Sequence, residues 1–242
     1  MGGAQAIGAM AYGTLTIPSV SKIFGPGNQY VTKAKQIVNQ QGVAIDMPAG
    51  PSEVMVIADD QANPAFIASD LLSQAEHGAD SQVVLVTSSK ALVEKVLIDI
   101  DRQVEKLPRK EIAKEALQNS LSVILNSNED IISFANEYAP EHLIINTSNC
   151  DDLAEKIVNA GSIFLGPYSP ESAGDYASGT NHTLPTNGFA KSYSGVSLES
   201  FLKYITFQKI SKAGLDLLGP VVEMMAEAEQ LSGHAEAIRV RR

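Results

Sequence analysis

Glu53 to Thr87 reads EVMVIADDQANPAFIASDLLSQAEHGADSQVVLVT, and this stretch decides the fold. EVMVIA (Glu53 to Ala58) is a short apolar run with three β-branched residues, the pattern of a strand buried on both faces. Asn63-Pro64 is a helix start, with an Asn N-cap and Pro at the first helical position. The helix it opens is expected to run to about His77. QVVLVT (Gln82 to Thr87) is a second buried strand. A strand, a helix and a strand in such close succession form a βαβ unit, which makes the two strands parallel.

The same alternation extends in both directions. Upstream, SVSKIF (Ser19 to Phe24) reads as a strand. The turn GPGN (Gly25 to Asn28) follows, then a helix from about Gln29 to Gln40 and a short strand VAID (Val43 to Asp46). Downstream, helices are expected over Lys90–Lys106 and Arg109–Gln118, split by Pro108. SVILN is a strand, Asp130 to Tyr138 a helix, HLIINT a strand, Asp151 to Asn159 a helix and SIFLG a strand. The fold class is α/β, with a doubly wound, mostly parallel, incomplete Rossmann-like sheet and a helical C-terminal extension. The pattern breaks at Pro167. From there to about Gly195 the chain is rich in Gly, Pro, Ser, Asn and Tyr, and a loop this long usually serves a site. LESFLKY then reads as helix and ITFQKI as strand. The tail from Lys212 reads as helix, broken near Gly219-Pro220 and again at Gly233. Three segments are expected: residues 1–46, the remainder of a dinucleotide-binding α/β domain; 47–196, a catalytic and zinc-binding α/β domain; and 197–242, a helical dimerisation segment.

Composition narrows the function classes. The chain has 242 residues, 44% hydrophobic and 19% charged, enough to bury a sizeable core. A formal net charge of −10 argues against a nucleic-acid partner, since phosphate binding needs clustered cations. The only basic cluster is Arg239, Arg241 and Arg242. Cys150 is the only cysteine, so no internal disulfide can form, which fits a reducing cytoplasm. No apolar run reaches the length of a membrane span, so no membrane partner is expected. The Ala/Gly-rich start lacks the basic residues of a signal peptide.

Four histidines stand beside acids, amides or glycine: His77 in QAEHGAD, His142 in APEHL, His182 in TNHTLP and His234 in SGHAEA. As a set they point to metal or proton-transfer chemistry. Gln74 and His77 are three apart at the end of a helix, so both side chains can reach one ion. Capping of the helix end is the plainer alternative. Further ligands would have to come from Asp175, His182 or His234, and nitrogen and oxygen donors without thiolate suit zinc, manganese or another divalent ion. Glu141-His142 opens a strand, and the pair supplies two bases of different pKa for two proton transfers, or else a surface dyad. GPGN before a helix is a natural anion site, though it is not a GxGxxG fingerprint and a tight turn explains it equally. Ser52 lies in no GxSxG elbow.

The strings GGAQAI, KIFGPGN, IDMPAGPSEV, ASDLLSQAEHGADSQ, YAPEHL, NAGSIFLG, SPESAGDYASGTNHTLPT and SGHAEAI occur in this order across nearly the whole chain. Together they resemble the histidinol dehydrogenase family. The family's chains are roughly twice as long, and the resemblance falls on their C-terminal portion, so the expectation is a chain lacking the N-terminal half. The resemblance implies oxidation of L-histidinol to L-histidine through the aldehyde, with two NAD+ and a zinc ion. It implies Gln74, His77, Asp175 and His234 as zinc ligands, His142 as general base and Glu141 as the residue that activates water. Ser52, His182 and Glu229 would contact substrate, as would His142 and the zinc ligands. Gln5 and Asn28 would contact NAD. It also implies a homodimer in which Glu229 and His234 act in the partner's site. Two other readings remain: a catalytically incomplete fragment that binds zinc or dimerises, and a zinc hydrolase, although no HExxH signature is present.

Overall fold

The computed structural model describes residues 2–242, and the chain divides into a unit ending at Ser200 and a second unit, Phe201–Arg242. The first unit carries α1 (Gly3–Tyr12), β1 (Lys22–Ile23), α2 (Gln29–Gln40), β2 (Ala44–Ile45), β3 (Glu53–Ala58), α3 (Pro64–Ala75), β4 (Gln82–Thr87), α4 (Lys90–Val104), α5 (Lys110–Gln118), β5 (Leu121–Ile124), α6 (Asn128–Tyr138), β6 (His142–Asn146), α7 (Cys150–Ala154), β7 (Ser162–Leu165) and α8 (Glu171–Tyr176). The second carries α9 (Lys212–Ala228) and α10 (Ser232–Arg239).

The main sheet has five parallel strands in the order β5-β4-β3-β6-β7. β3 is its central strand, and all six of its residues are buried. Alternate side chains face opposite ways along a strand. Val54 and Val56 accordingly join a core with residues of α3, α4 and α5, while Met55 and Ile57 join a second core with residues of α6 and α7. Helices on both faces explain why EVMVIA is apolar throughout and does not alternate. The helix starts follow local chemistry. Asn63 accepts from Ala65 N at 2.9 Å with Pro64 in the first turn, Ser89 accepts from Leu92 N at 3.2 Å, and Ser127 accepts from Asp130 N at 3.1 Å.

β1 and β2 form a separate two-stranded parallel sheet, and α1 and α2 pack on it around Ile7, Ala11, Ile23 and Val38. The buried Lys35–Asp46 ion pair holds the GPGN turn. Lys35 Nζ donates to Gly25 O at 3.0 Å, and Gly25 N donates to Asp46 Oδ2 at 2.8 Å.

The α/β, parallel, doubly wound class stands as read, but several elements differ. SVSKIF pairs over Lys22–Ile23 only, and α7 ends at Ala154. α1 has no strong periodic signal to announce it, and α8 folds inside the segment that reads as loop. LESFLKY contributes one 3-10 turn, Leu198–Phe201, and ITFQKI forms no strand, with Phe207 93% exposed. Alternation makes a strand only where a partner edge supplies hydrogen bonds. α9 continues through Pro220. The second break falls at Glu229–Leu231, where Gln230 takes φ 61°, and Gly233 lies within α10.

Candidate active site

The strand order reverses between β3 and β6, where the chain returns from β5 to start the other half of the main sheet, and ligands of such sheets usually sit at the carboxyl ends of the strands there. In this protein the chemistry-bearing residues gather at the amino ends. Ser52 precedes β3, Glu53 opens it, Glu141 precedes β6 and His142 opens it. Two glycines shape this edge. A Cβ on Gly161 would stand 2.5 Å from Glu141 O, and one on Gly174 would stand 2.5 Å from the Phe164 ring, which stacks on His142 at 6.1 Å between centroids.

The backbone of Glu53 holds both members of the Glu141–His142 pair. Its N–H donates to Glu141 Oε2 at 3.0 Å, and its carbonyl lies 3.3 Å from His142 Nδ1. A proton on Nδ1 satisfies that carbonyl and leaves Nε2 as the free nitrogen. Nε2 is buried without a hydrogen-bond partner and stands 3.5 Å from Asp175 Oδ1. Consecutive residues on a strand point apart, yet the Glu141 carboxylate stands 3.6 Å from His142 Nδ1 because Glu141 lies just before the ladder begins.

Charge is concentrated here. Burial pushes the Glu141 carboxyl up to about 7, against the opposing pull of His142. Burial also raises Glu171 to about 7. For His142 burial works against the cation, but Asp175, Glu171 and Glu141 outweigh it and push the imidazole up to about 9. The imidazole in turn holds the Asp175 carboxyl below its usual range.

Of the residues singled out in the sequence, Ser52, Gln74, His77, Glu141, His142, Asp175 and His182 line one cavity of about 200 Å³. Asn28 lines an adjoining cleft of about 700 Å³, which shares Gly27, Ala49, Gly50, Ser52 and His77 with the cavity. Asn28 also caps α2, accepting from Tyr30 N at 3.1 Å and Val31 N at 3.3 Å. Gln5 lies exposed on α1 and lines neither space. Glu229 and His234 belong to the second unit and are exposed on it.

The residues fit a metal ion. Gln74 is 0% exposed, yet neither its Oε1 nor its Nε2 has a partner. A buried amide left unpaired costs about 1–3 kcal/mol, so such a group calls for a ligand. His77, Glu171 and Asp175 each offer a ligand atom within 4.8 Å of the others. Two residues of this site are missing from the sequence-based set. Glu53 carries a signal, as the one charged residue in an otherwise apolar central strand. Glu171 stands one turn before Asp175, but its segment reads as loop, where helical spacing carries no weight.

A family model of histidinol dehydrogenase matches residues 1–242. The chain belongs to the histidinol dehydrogenase family. It is 59% identical over 240 residues to histidinol dehydrogenase of Bacteroides thetaiotaomicron, covering 99% of this chain and 56% of that one. It is 57% identical to the chloroplastic histidinol dehydrogenase of Oryza sativa, covering 99% of this chain and 51% of the relative. The crystal structure of histidinol dehydrogenase from Elizabethkingia anophelis superposes with a TM-score of 0.96 at 61% identity, over 99% of this chain and 55% of that one. The chain therefore spans about half the length of the histidinol dehydrogenases it matches. Among the described residues no helix is long and apolar enough to cross a membrane.

Proposed function

We propose that this chain is the C-terminal, catalytic portion of a zinc- and NAD-dependent histidinol dehydrogenase, a cytoplasmic enzyme of histidine biosynthesis that oxidises L-histidinol to L-histidine through the aldehyde. The observation that carries this reading is one cavity that joins the unpartnered Gln74 amide, His77 and Asp175 to the buried Glu141–His142 pair.

Gln74, His77 and Asp175 would hold the metal, with His234 of a second copy as the remaining ligand. Bound there, zinc supplies a positive template that orients the substrate's imidazole and amine and polarises its oxygen. NAD, in the cleft beside Asn28, supplies the hydride acceptor. The rest falls to the protein's side chains. In its neutral form, which gains population as pH rises towards about 9, His142 takes the hydroxyl proton on Nε2, the nitrogen that the Glu53 carbonyl leaves free. The resulting imidazolium is stabilised by Asp175, 3.5 Å away. Glu141, whose raised pKa suits a base working near neutrality, takes a proton from the water that attacks the aldehyde. Ser52 and His182, both lining the cavity, contact the substrate. Glu229 reaches it from the second copy, and Gln5 contributes to the NAD site once the rest of that pocket is present. The apolar face of α9, with Leu217 82% and Met224 63% exposed, supports a homodimer.

The half-length of the chain favours one further reading, a catalytically incomplete piece that keeps the metal site. NADH production from L-histidinol and NAD+ by the purified, zinc-supplemented chain separates the two. Two NADH per histidinol supports a working site. Zinc binding without NADH leaves only the incomplete piece. Hydrolytic turnover without NAD refutes both and favours a zinc hydrolase.

A further inference from the structure

Lys35 and Asp46 form an ion pair whose side chains are 5% and 1% exposed. Taking two charges out of water is expensive, and an apolar pair of similar volume often serves stability as well. A pair this deeply buried therefore points to a task that needs direction as well as volume. Both charges are aimed at one residue. Gly25 N donates to Asp46 Oδ2 at 2.8 Å, and Gly25 O accepts from Lys35 Nζ at 3.0 Å. Met47 N donates to Asp46 Oδ1 at 2.7 Å, which fixes the carboxylate in turn. Gly25 is held at φ 144°, a conformation that residues with a side chain rarely adopt. At the other end of the turn, Asn28 is fixed as the cap of α2. Gly27 lies between these anchors and close to α2, where an added Cβ would stand 2.6 Å from the Val31 side chain. Gly27 lines both the cavity of Glu141 and His142 and the adjoining cleft of Asn28. The GPGN turn is thus a shared wall of the two spaces, and the buried pair sets where that wall stands.

We infer that Lys35 and Asp46 are positioning residues for the cofactor: by clamping Gly25 they place the GPGN turn so that a dinucleotide in the cleft meets the substrate in the cavity. The inference rests on the NAD-dependent reading above and adds to it two residues outside the metal ligands and the Glu141–His142 pair. Hydride transfer depends on geometry, and a misplacement of about 1 Å can cost roughly 100-fold in rate. A directed clamp on both polar groups of Gly25 supplies that geometry. An apolar pair would fill the same space and leave the turn free to shift.

The test compares the zinc-loaded parent, Lys35→Met and the double variant Lys35→Met/Asp46→Asn. Thermal unfolding, amide hydrogen exchange, calorimetric titration with NAD+ and steady-state NADH formation are measured on each. Lys35→Met leaves the Asp46 charge buried without its partner, so it is expected to melt below the parent. The double variant buries no charge at this position and is expected to recover most of that loss. Its NAD+ affinity and its kcat/KM for NAD+ are expected to stay roughly 10–100-fold below the parent's. Zinc content and the KM for L-histidinol should remain near the parent's, and faster amide exchange should be confined to residues 25–30. Three results overturn this inference alone and make the pair a prop of the fold: NAD+ affinity that returns together with the melting temperature, an equal loss of L-histidinol affinity, or unchanged exchange over residues 25–30 in both variants. No NAD+ binding by the parent overturns the dinucleotide reading and this inference with it.

Discussion

Replacing Glu53 with Gln should make the protein more stable at alkaline pH and leave it nearly unchanged at acidic pH. Glu53 is buried at the head of β3, and burial pushes its carboxyl from 4.5 up to about 7, despite hydrogen bonds from Asn187 N at 2.9 Å and Tyr138 Oη at 3.4 Å. The direction follows from proton counts. Below pH 4.5 both folded and unfolded chains hold the proton, and pH has no effect through this group. Between pH 4.5 and about 7 the unfolded chain ionises while the folded chain stays protonated, so stability falls as pH rises. Above about 7 both are ionised and the penalty is complete, on the order of 3 kcal/mol. Gln has the same shape, keeps an oxygen for Asn187 N and carries no titrating proton. The stability difference between variant and parent should therefore grow by about 3 kcal/mol from acidic to alkaline pH. Removing the charge also lets the neighbouring Glu141 ionise more easily, since Glu53 is among the groups that raise its pKa. Urea denaturation of the metal-free chain, followed by circular dichroism at a series of pH values, measures the difference directly. A difference that stays constant across the range would refute the reasoning, because Glu53 would then ionise in the folded chain as it does in the unfolded one.

His142→Ala should lower NADH formation by roughly 10²–10⁴-fold while zinc content by elemental analysis stays near the parent's. Loss of zinc along with activity would show that His142 has been given the wrong role. Glu141→Gln should spare the first oxidation and stall the second, so that NADH per histidinol falls from two towards one and an aldehyde becomes trappable. Two NADH per turnover in that variant would remove Glu141 from the hydration step. Gly161→Ala forces a methyl against the Glu141 carbonyl, a backbone atom that cannot swing aside, and should cost about 1–3 kcal/mol in thermal unfolding. An unchanged melting temperature would mean that the β6–β7 edge is looser than its packing suggests.

Much of the fold was legible because local and global preferences agree in its central elements. EVMVIA and QVVLVT are apolar on both faces, and Asn63-Pro64 marks a helix start without reference to anything distant. The edges were less legible. ITFQKI alternates like a strand but finds no partner edge, and α9 runs through Pro220, where the sequence signals a break. Pro removes one hydrogen bond of a long helix, and the turns on either side can carry the element across it.

The residue types of the candidate site, Gln74, His77, Glu141, His142, Asp175 and His182, could be chosen from sequence because imidazole, carboxylate and amide side chains in unusual company suggest their chemistry wherever they lie. Their convergence could not be read that way. It depends on a strand order that sets β3 beside β6, so that the Glu53 backbone grips Glu141 with its N–H and faces His142 with its carbonyl. It depends as well on α8, which turns a segment that reads as loop into a surface where Glu171 and Asp175 face His77. Burial and proximity come from residues far apart in the chain. Only the packed structure sets which imidazole nitrogen is free, which carboxyls lie far from water, and which amide is left without a partner.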